Sequence, residues 1–178
     1  MRSHGFTLIE LMVVLAITAV LALIALPAFS SALEATRAGS AETQLLVSLT
    51  QAVNRSALTG THMVLCPSDD GRSCRRGPDW SDGWIGFADL DLDRERGPDE
   101  RVFLTEAALP GKVQLRSSIG RTRIVFQGNG GNAGSNVTFT LCDGRGPNHA
   151  RALVLNNRGG LRHGTPSAES IAATCLDE

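Results

Sequence analysis

The sequence is poor in aromatic residues, has no tyrosine, and carries almost no net charge. Aromatic residues make up 4% of the 178, so the core of a folded domain has to rely on valine, leucine and isoleucine. A formal charge of −1 argues against a uniformly basic nucleic-acid-binding protein, and 42% apolar residues are incompatible with disorder throughout. The sequence also lacks G-x-S-x-G and H-E-x-x-H motifs, so neither an enzyme nor a cofactor is predicted.

Cysteine is scarce, and no two of the four cysteines form a C-x-x-C pair. This spacing disfavours a zinc site. Four cysteines allow three disulfide pairings, and the sequence alone does not choose among them. For a globular part in an oxidising compartment, we favour Cys66 with Cys74 as a short clasp, and Cys142 with Cys175 as a tie between the C-terminal tail and a strand.

Charge is absent from Leu11 to Phe29, and the apolar stretch starts at Phe6. A helix of roughly 20 such residues is long enough to span a bilayer. A secretory signal is a poor alternative, because its apolar core has about 7 to 15 residues before a small-x-small cleavage site, whereas Leu26 and Pro27 precede Ala28 here. An ordinary single-span anchor remains an alternative.

Glu10 is the exception within this apolar stretch. An ionisable side chain near the bilayer centre costs about 2.5 to 3.5 kcal/mol on insertion scales, so it needs a partner. Gly5, Phe6, Thr7, Leu8 and Glu10, in GFTLIELMVVLAI, resemble the leader and processing site of type IV pilins and type II secretion pseudopilins. The resemblance implies cleavage after Gly5 by a prepilin peptidase, methylation of the new N-terminus at Phe6, and pairing of Glu10 with the N-terminal ammonium of a neighbouring subunit.

The helix is predicted to continue past Pro27 and to stop at Gly60. Its second half has small and apolar residues at helical spacing, whereas Ser48 and other polar residues are expected elsewhere around the helix. The spaced residues are Ala38, Ala41, Leu45, Leu49 and Ala52 or Val53. Beyond Gly60, short apolar runs bounded by turn residues predict antiparallel strands. These runs are Met63 to Cys66, Trp84 to Phe87, Arg101 to Leu104, Val113 to Leu115, Arg123 to Phe126, Val137 to Leu141 and Leu153 to Leu155.

The expected architecture is a pilin-like α+β fold with one long N-terminal helix and a β-rich head of two small antiparallel sheets. We expect a leader at 1–5, a transmembrane or filament-core helix at 6–29, an amphipathic continuation at 30–59, and the head at 60–178. Arg2 precedes the apolar stretch, and cationic flanks favour the cytoplasmic side. The prediction is therefore a single-pass protein of the bacterial inner membrane with a periplasmic head, which becomes extracellular at a pilus tip after assembly.

The charges are sorted along the chain. Residues 69–111 carry eleven acidic residues against six arginines, whereas residues 112–163, the basic region, carry eight cationic residues against Asp143 alone. Asp89, Asp91 and Asp93 alternate and could face one calcium ion, but we take the segment to lack both the glycine and the terminal glutamate of an EF-hand loop. The preferred interpretation is that these three carboxylates are solvated polar side chains of a hairpin, and no metal site is predicted.

Three segments, VLCPSDDGRSC, WSDGWIGF and CDGRGPNHARALVLNNRGGLRHG, extend the resemblance over essentially the whole length. They resemble the H-type branch of the family, which is GspH/FimT-like and includes FimU-type minor pilins. Some members bind DNA through a G-R-x-R motif, which aligns with residues 159–162, where Gly160 replaces the first arginine. The resemblance implies a DNA-binding set centred on Arg158, Arg162 and His163. The supporting residues are Arg121, Arg123, Arg145 and Arg151.

The predicted function is a minor pilin of a type IV pilus, which primes filament assembly at the tip and contacts DNA during uptake. The alternative is a minor pseudopilin H of a type II secretion system that does not bind DNA. The implied partners are other pilins or pseudopilins, the prepilin peptidase, the inner membrane and, for the basic region, double-stranded DNA.

Overall fold

The computed structural model describes residues 7–132, 136–157 and 160–175. The chain forms two compact units, an N-terminal unit that ends at Leu33 and a C-terminal unit that starts at Glu34. Helix α1 (Leu8–Thr59) begins in the first unit and ends in the second. Gly5 and Phe6, the predicted processing residues, lie outside the described residues.

The N-terminal unit consists of the apolar half of α1. Thr7 caps this helix, because its Oγ1 accepts a hydrogen bond from the backbone N–H of Glu10 over 3.3 Å. Pro27 lies inside the helix, as predicted, and does not end it. The side chains from Leu8 to Phe29 are exposed, and α1 is the one helix in the described residues that is long and apolar enough to cross a membrane.

The C-terminal unit contains two four-stranded antiparallel sheets. The strands are β1 (His62–Pro67), β2 (Trp84–Asp89), β3 (Val102–Glu106), β4 (Gln114–Ser117), β5 (Ile124–Phe126), β6 (Val137–Cys142), β7 (Arg151–Leu155) and β8 (Leu161–Gly164). Sheet 1 has the order β3-β2-β1-β5, and sheet 2 has the order β4-β6-β7-β8. Each of the seven predicted runs overlaps a strand, and the α+β class with two small sheets is confirmed. The sequence analysis missed β8 and the eight-residue helix α2 (Ala168–Cys175).

The main core lies between the second half of α1 and both sheets. The predicted helix stripe is confirmed, since Ala38, Ala41, Leu45, Leu49 and Ala52 are all buried. In the C-terminal unit, five of the six aromatic side chains are buried, namely Trp80, Trp84, Phe87, Phe126 and Phe139. The Trp80 ring lies edge-on to Phe139, with centroids 5.3 Å apart, and 6.2 Å from Trp84.

The prediction that Ser48 lies outside the apolar stripe of α1 was wrong. Ser48 is fully buried, and its Oγ accepts a hydrogen bond from the indole Nε1 of Trp84 over 3.0 Å. The same hydroxyl donates to the carbonyl of Gln44 over 2.8 Å. A serine within the apolar stripe thus supplies the acceptor for the buried indole N–H of Trp84.

Ser48→Ala is expected to lower the free energy of unfolding by about 1–3 kcal/mol, because it leaves the Trp84 N–H buried without an acceptor. Thermal unfolding of the full chain in detergent micelles measures the difference. The matched control is Ser40→Ala on the exposed side of the same helix, for which the expected change is within about 0.5 kcal/mol. Equal unfolding midpoints for the two variants would contradict the assigned role of Ser48.

Two disulfides tie segments outside the main core to the sheets. Cys66 on β1 is joined to Cys74, with Cα atoms 5.5 Å apart, and Cys142 on β6 is joined to Cys175 on α2, with Cα atoms 5.6 Å apart. These are the two pairs that the sequence favoured. The first belongs to a smaller apolar cluster on the other face of sheet 1, and the second fastens α2 to sheet 2.

Candidate functional site

The N-terminus of α1 carries one ionisable side chain, Glu10. It lies exposed in the first turn of the helix, and no other charged residue occurs between Thr7 and Leu33. Carboxylates are favoured in a first turn because the unpaired backbone N–H groups there carry partial positive charge. The local structure of α1 therefore accommodates Glu10 while leaving its carboxylate on the surface.

The buried Asp143 and the half-buried Arg145 form an ion pair within the basic region. The Asp143 carboxylate accepts hydrogen bonds from the Arg145 side chain at 2.9 and 2.7 Å, and from the Arg145 backbone N–H at 3.0 Å. Its side chain is 1% exposed. Burial alone would raise the pKa of Asp143, but the hydrogen bonds and positive charge of Arg145 outweigh it and hold that pKa below the ordinary value of 3.8.

This ion pair should make stability depend on pH in the acid range. A carboxyl with a lowered native pKa stabilises the fold above its ordinary value of 3.8, and the contribution disappears as the pH falls toward the native pKa. We expect Asp143→Asn to be less stable than the unaltered chain by about 1–3 kcal/mol at pH 7, with the gap narrowing below pH 3.8. Unfolding midpoints from pH 2 to pH 7 measure the gap, and a gap independent of pH would contradict this assignment.

The effect of Asp143 has to be read from the difference in stability between the unaltered chain and Asp143→Asn. The pH dependence of either chain alone also contains contributions from carboxyl groups whose effect has the opposite sign. Burial raises the pKa of Glu106, so this carboxyl binds a proton more readily in the folded state than in the unfolded state. Its contribution therefore makes the folded state more stable as the pH falls. Glu106 is present in both chains, and its contribution cancels in the difference.

Other residues of the predicted DNA-binding set also meet carboxylates. Arg123 donates to both oxygens of Glu95 at 2.9 and 3.0 Å, and Arg151 donates to Glu42 on α1 at 3.2 Å. The Nε2 of His163, on the neighbouring strand β8, lies 3.2 Å from the other oxygen of Glu42. These contacts fasten sheet 2 and the segment before β5 to other parts of the C-terminal unit.

Two predicted DNA-binding arginines remain exposed, Arg121 before β5 and Arg162 on β8. Arg158 lies outside the described residues. Carboxylates therefore engage three of the five predicted arginines that the structure describes, namely Arg123, Arg145 and Arg151. DNA contact stays a prediction, and Arg121 and Arg162 are the exposed arginines of the predicted set among the described residues.

The loop between β2 and β3, residues 89–100, is called the acidic loop here. One carboxylate oxygen from each of Asp89, Asp91 and Asp93 lies within 4.8 Å of the others. Asp89 is 1% exposed. Its Oδ1 accepts a hydrogen bond from the backbone N–H of Leu92 at 2.9 Å, whereas its Oδ2 is buried without a partner. Burial raises the pKa of Asp89, assisted by the negative charges of Glu100 and Asp91, and outweighs the backbone N–H groups of Leu92 and Arg94, which lower it.

Glu100 closes the acidic loop and was missed by the sequence analysis. It is 5% exposed, and its two oxygens accept backbone N–H groups of Leu90 at 2.7 Å and Gly97 at 2.8 Å. Glu100 stands eleven residues after Asp89, which is the twelfth position, where an EF-hand loop has its glutamate. The expectation that this glutamate is missing was therefore wrong, and counting from Asp89 would have found it.

The structure resembles solved pilins and pseudopilins. The type IV minor pilin FimU of Pseudomonas aeruginosa is 14% identical, with a TM-score of 0.56 over 76% of this chain and 91% of FimU. The minor pseudopilin EpsH of the type 2 secretion system of Vibrio cholerae is 13% identical, with a TM-score of 0.50 over 74% of this chain and 98% of EpsH. At these identities the likeness shows the fold. No curated protein matches this sequence.

Two family profiles match the sequence. The profile described as a prokaryotic N-terminal methylation motif matches residues 1–26, and with the apolar helix it fits anchoring in a membrane. The profile described as type II transport protein GspH matches residues 41–159, which is most of the C-terminal unit. Members of this family are structural subunits rather than enzymes. The chain belongs to the GspH family of minor pilins and pseudopilins.

Proposed function

We propose that the chain is a minor pilin of a type IV pilus. It is cleaved after Gly5 by a prepilin peptidase, methylated at Phe6, and held in the inner membrane by residues 6–29 with residues 60–178 in the periplasm. It then joins the filament tip and primes assembly. The observation that carries the proposal is Glu10, the one charged side chain between Thr7 and Leu33, on the exposed apolar half of α1 that begins within the matched methylation motif.

Glu10 supplies the chemistry for association between subunits. Its carboxylate lies on the surface of α1, where no residue between Thr7 and Leu33 offers it a positive charge. In a low-dielectric surrounding an unpaired charge is strongly unfavourable, so a cation on a neighbour is favoured. Cleavage after Gly5 would create such a cation, the ammonium of Phe6.

Association would also cover the exposed apolar half of α1. Its surface includes Leu8, Leu23, Ile24, Leu26 and Phe29, each between 69% and 76% exposed. A helix with apolar side chains on every side is stable only when lipid or other helices surround it. The membrane supplies this surrounding before assembly, and the helices of other pilins would supply it in the filament.

We favour the pilus over the secretion system because the basic region is rich in arginine. Contact with double-stranded DNA is retained as part of this proposal for Arg121 and Arg162, the two described arginines of the predicted set that are exposed. The alternative function is that of a minor pseudopilin H in a type II secretion system.

The proposal is tested by deleting the gene in the bacterium that makes the protein. Loss of surface pili in electron micrographs, restored by the unaltered gene and accompanied by normal protein secretion, is the expected result. Normal pili together with a fall in secreted protein would overturn the pilus assignment in favour of secretion. Normal pili and normal secretion would overturn both.

A further inference from the structure

The acidic loop has the spacing of a calcium-binding loop. The EF-hand pattern is D-x-[DN]-x-[DN]-G-x5-E, and Asp89, Asp91, Asp93 and Glu100 fit each acidic position. The one departure is Arg94, which stands where the pattern has glycine. Arg94 has a φ of 64°, in the left-handed region that glycine adopts most readily, so the backbone turns there as the pattern requires.

The buried carboxylate of Asp89 is the independent sign of a ligand. A buried polar atom without a hydrogen-bond partner is strongly unfavourable, and a buried charge more so. The Oδ2 of Asp89 is such an atom, and the Asp89 carboxylate lies in the same group as those of Asp91 and Asp93. Within the described residues, no ion pair reaches any of these three aspartates. A cation would satisfy the buried oxygen and offset the repulsion among the carboxylates.

The nearby arginines hold the loop from outside this carboxylate group. Arg123 donates to the carbonyl of Arg94 at 3.2 Å and to the carboxylate of Glu95, while the Nε of Arg96 donates to the carbonyl of Glu100 at 3.3 Å. These bonds fix the backbone on both sides of the aspartates. The Oδ1 atoms of Asp91 and Asp93 accept the backbone N–H groups of Asp93 at 3.3 Å and Glu95 at 2.7 Å, and the arginine side chains do not occupy the aspartate carboxylates. The loop is therefore held in place before any ion binds.

We propose that Asp89, Asp91 and Asp93 form a calcium-binding site at the β2–β3 turn, and that Glu100, which lies outside this carboxylate group, supplies the further ligand from the twelfth position of the loop. The donors are all carboxylate oxygens, and neither histidine nor cysteine belongs to the group, which favours a hard cation. Each Glu100 oxygen accepts one N–H and retains a second lone pair for a ligand bond. Calcium accepts six to eight oxygens in flexible geometry, whereas magnesium demands a nearly ideal octahedron.

The test is a calorimetric titration of the full chain in detergent micelles, first treated with EDTA and then given calcium chloride. We expect one ion to bind with a Kd in the range of about 10⁻⁶ to 10⁻³ M. We also expect calcium to raise the Tm by roughly 2–8 °C. The absence of both binding heat and a Tm shift at millimolar calcium, or equal affinity for magnesium, would overturn the proposal.

Variants locate the site. Asp91→Asn with Asp93→Asn changes two exposed loop residues and should weaken calcium binding by at least about tenfold. The Tm in EDTA should not fall, because the substitutions remove repulsion among the carboxylates. The matched control, Asp69→Asn with Glu169→Gln, removes two exposed carboxylates outside the loop and should bind calcium normally. Equal weakening in both pairs would overturn the location of the site.

Arg94→Gly tests whether position 94 takes the glycine place of the calcium-binding pattern. Glycine takes the left-handed conformation without strain and removes a cation beside the carboxylates, so calcium should bind at least as tightly as in the unaltered chain. Weaker binding by Arg94→Gly would overturn the assignment of Arg94 to the glycine position.

Discussion

Glu10→Ala is expected to reach the membrane and to be processed, yet to be absent from filaments. Removing the carboxylate makes the helix more apolar, so insertion should be at least as favourable as in the unaltered chain. In the filament that we propose, however, Glu10 pairs with the N-terminal ammonium of a neighbour, and the substitution would leave that ammonium unpaired. Breaking one partner of a buried ion pair costs about 3–5 kcal/mol, which corresponds to more than about a hundredfold in an association constant.

The measurement compares the amount of this chain in sheared filaments with the amount in the membrane fraction. Glu10→Gln keeps the shape of the side chain and removes its charge, so it should fail in the same way if the charge is what matters. Gly5→Val provides the contrast at the preceding step, because it should retain the leader and run as the longer, unprocessed chain. Normal incorporation of Glu10→Ala would contradict the role given to Glu10.

Cys142→Ser with Cys175→Ser is the second variant with a large expected effect. The two cysteines are 33 residues apart, and chain-entropy arguments assign about 3–4 kcal/mol to a disulfide that closes a loop of this length. The bond also holds α2 on sheet 2, where the carbonyl of Ala173 accepts a hydrogen bond from Arg116 over 2.6 Å. Loss of the disulfide should therefore lower the unfolding midpoint and expose α2 to proteolysis.

The other disulfide is the control for this experiment. Cys66 and Cys74 are separated by 8 residues, so the same argument gives a smaller contribution of about 2.5 kcal/mol. Unfolding of both double variants in detergent micelles should place the Cys142–Cys175 variant below the Cys66–Cys74 variant. The reverse order, or protease resistance of α2 without its disulfide, would contradict the expectation.

The parts of the fold that sequence reasoning found are those with strong apolar patterning. The stripe from Ala38 to Ala52 and the seven apolar runs are visible because burial repeats at the helical or the strand period. Strand β8 was missed because Leu161–Gly164 has no fully buried residue and is defined by pairing with β7. Helix α2 has only eight residues, although Ser167, which accepts the N–H of Ser170 over 3.2 Å, is a recognisable cap.

The candidate sites were less predictable because they depend on contacts between distant parts of the chain. The arginines of the basic region looked available for DNA, but Glu42 and Glu95 lie 109 and 28 residues from their partners Arg151 and Arg123. The buried Oδ2 of Asp89 is likewise a consequence of packing and not of composition. The burial of Ser48 could not be predicted for the same reason, because its role as an acceptor depends on Trp84, which lies 36 residues away in the sequence.

Strand β8 forms one edge of sheet 2 and therefore has a side with no neighbouring strand in that sheet. Open edges can recruit strands from other molecules, and proteins counter this with short edge strands and charged side chains. β8 has four residues, and two of them, Arg162 and His163, are exposed. The same side chains that were predicted to hold DNA thus also discourage edge-to-edge aggregation of a subunit whose proposed polymerisation takes place through its helix.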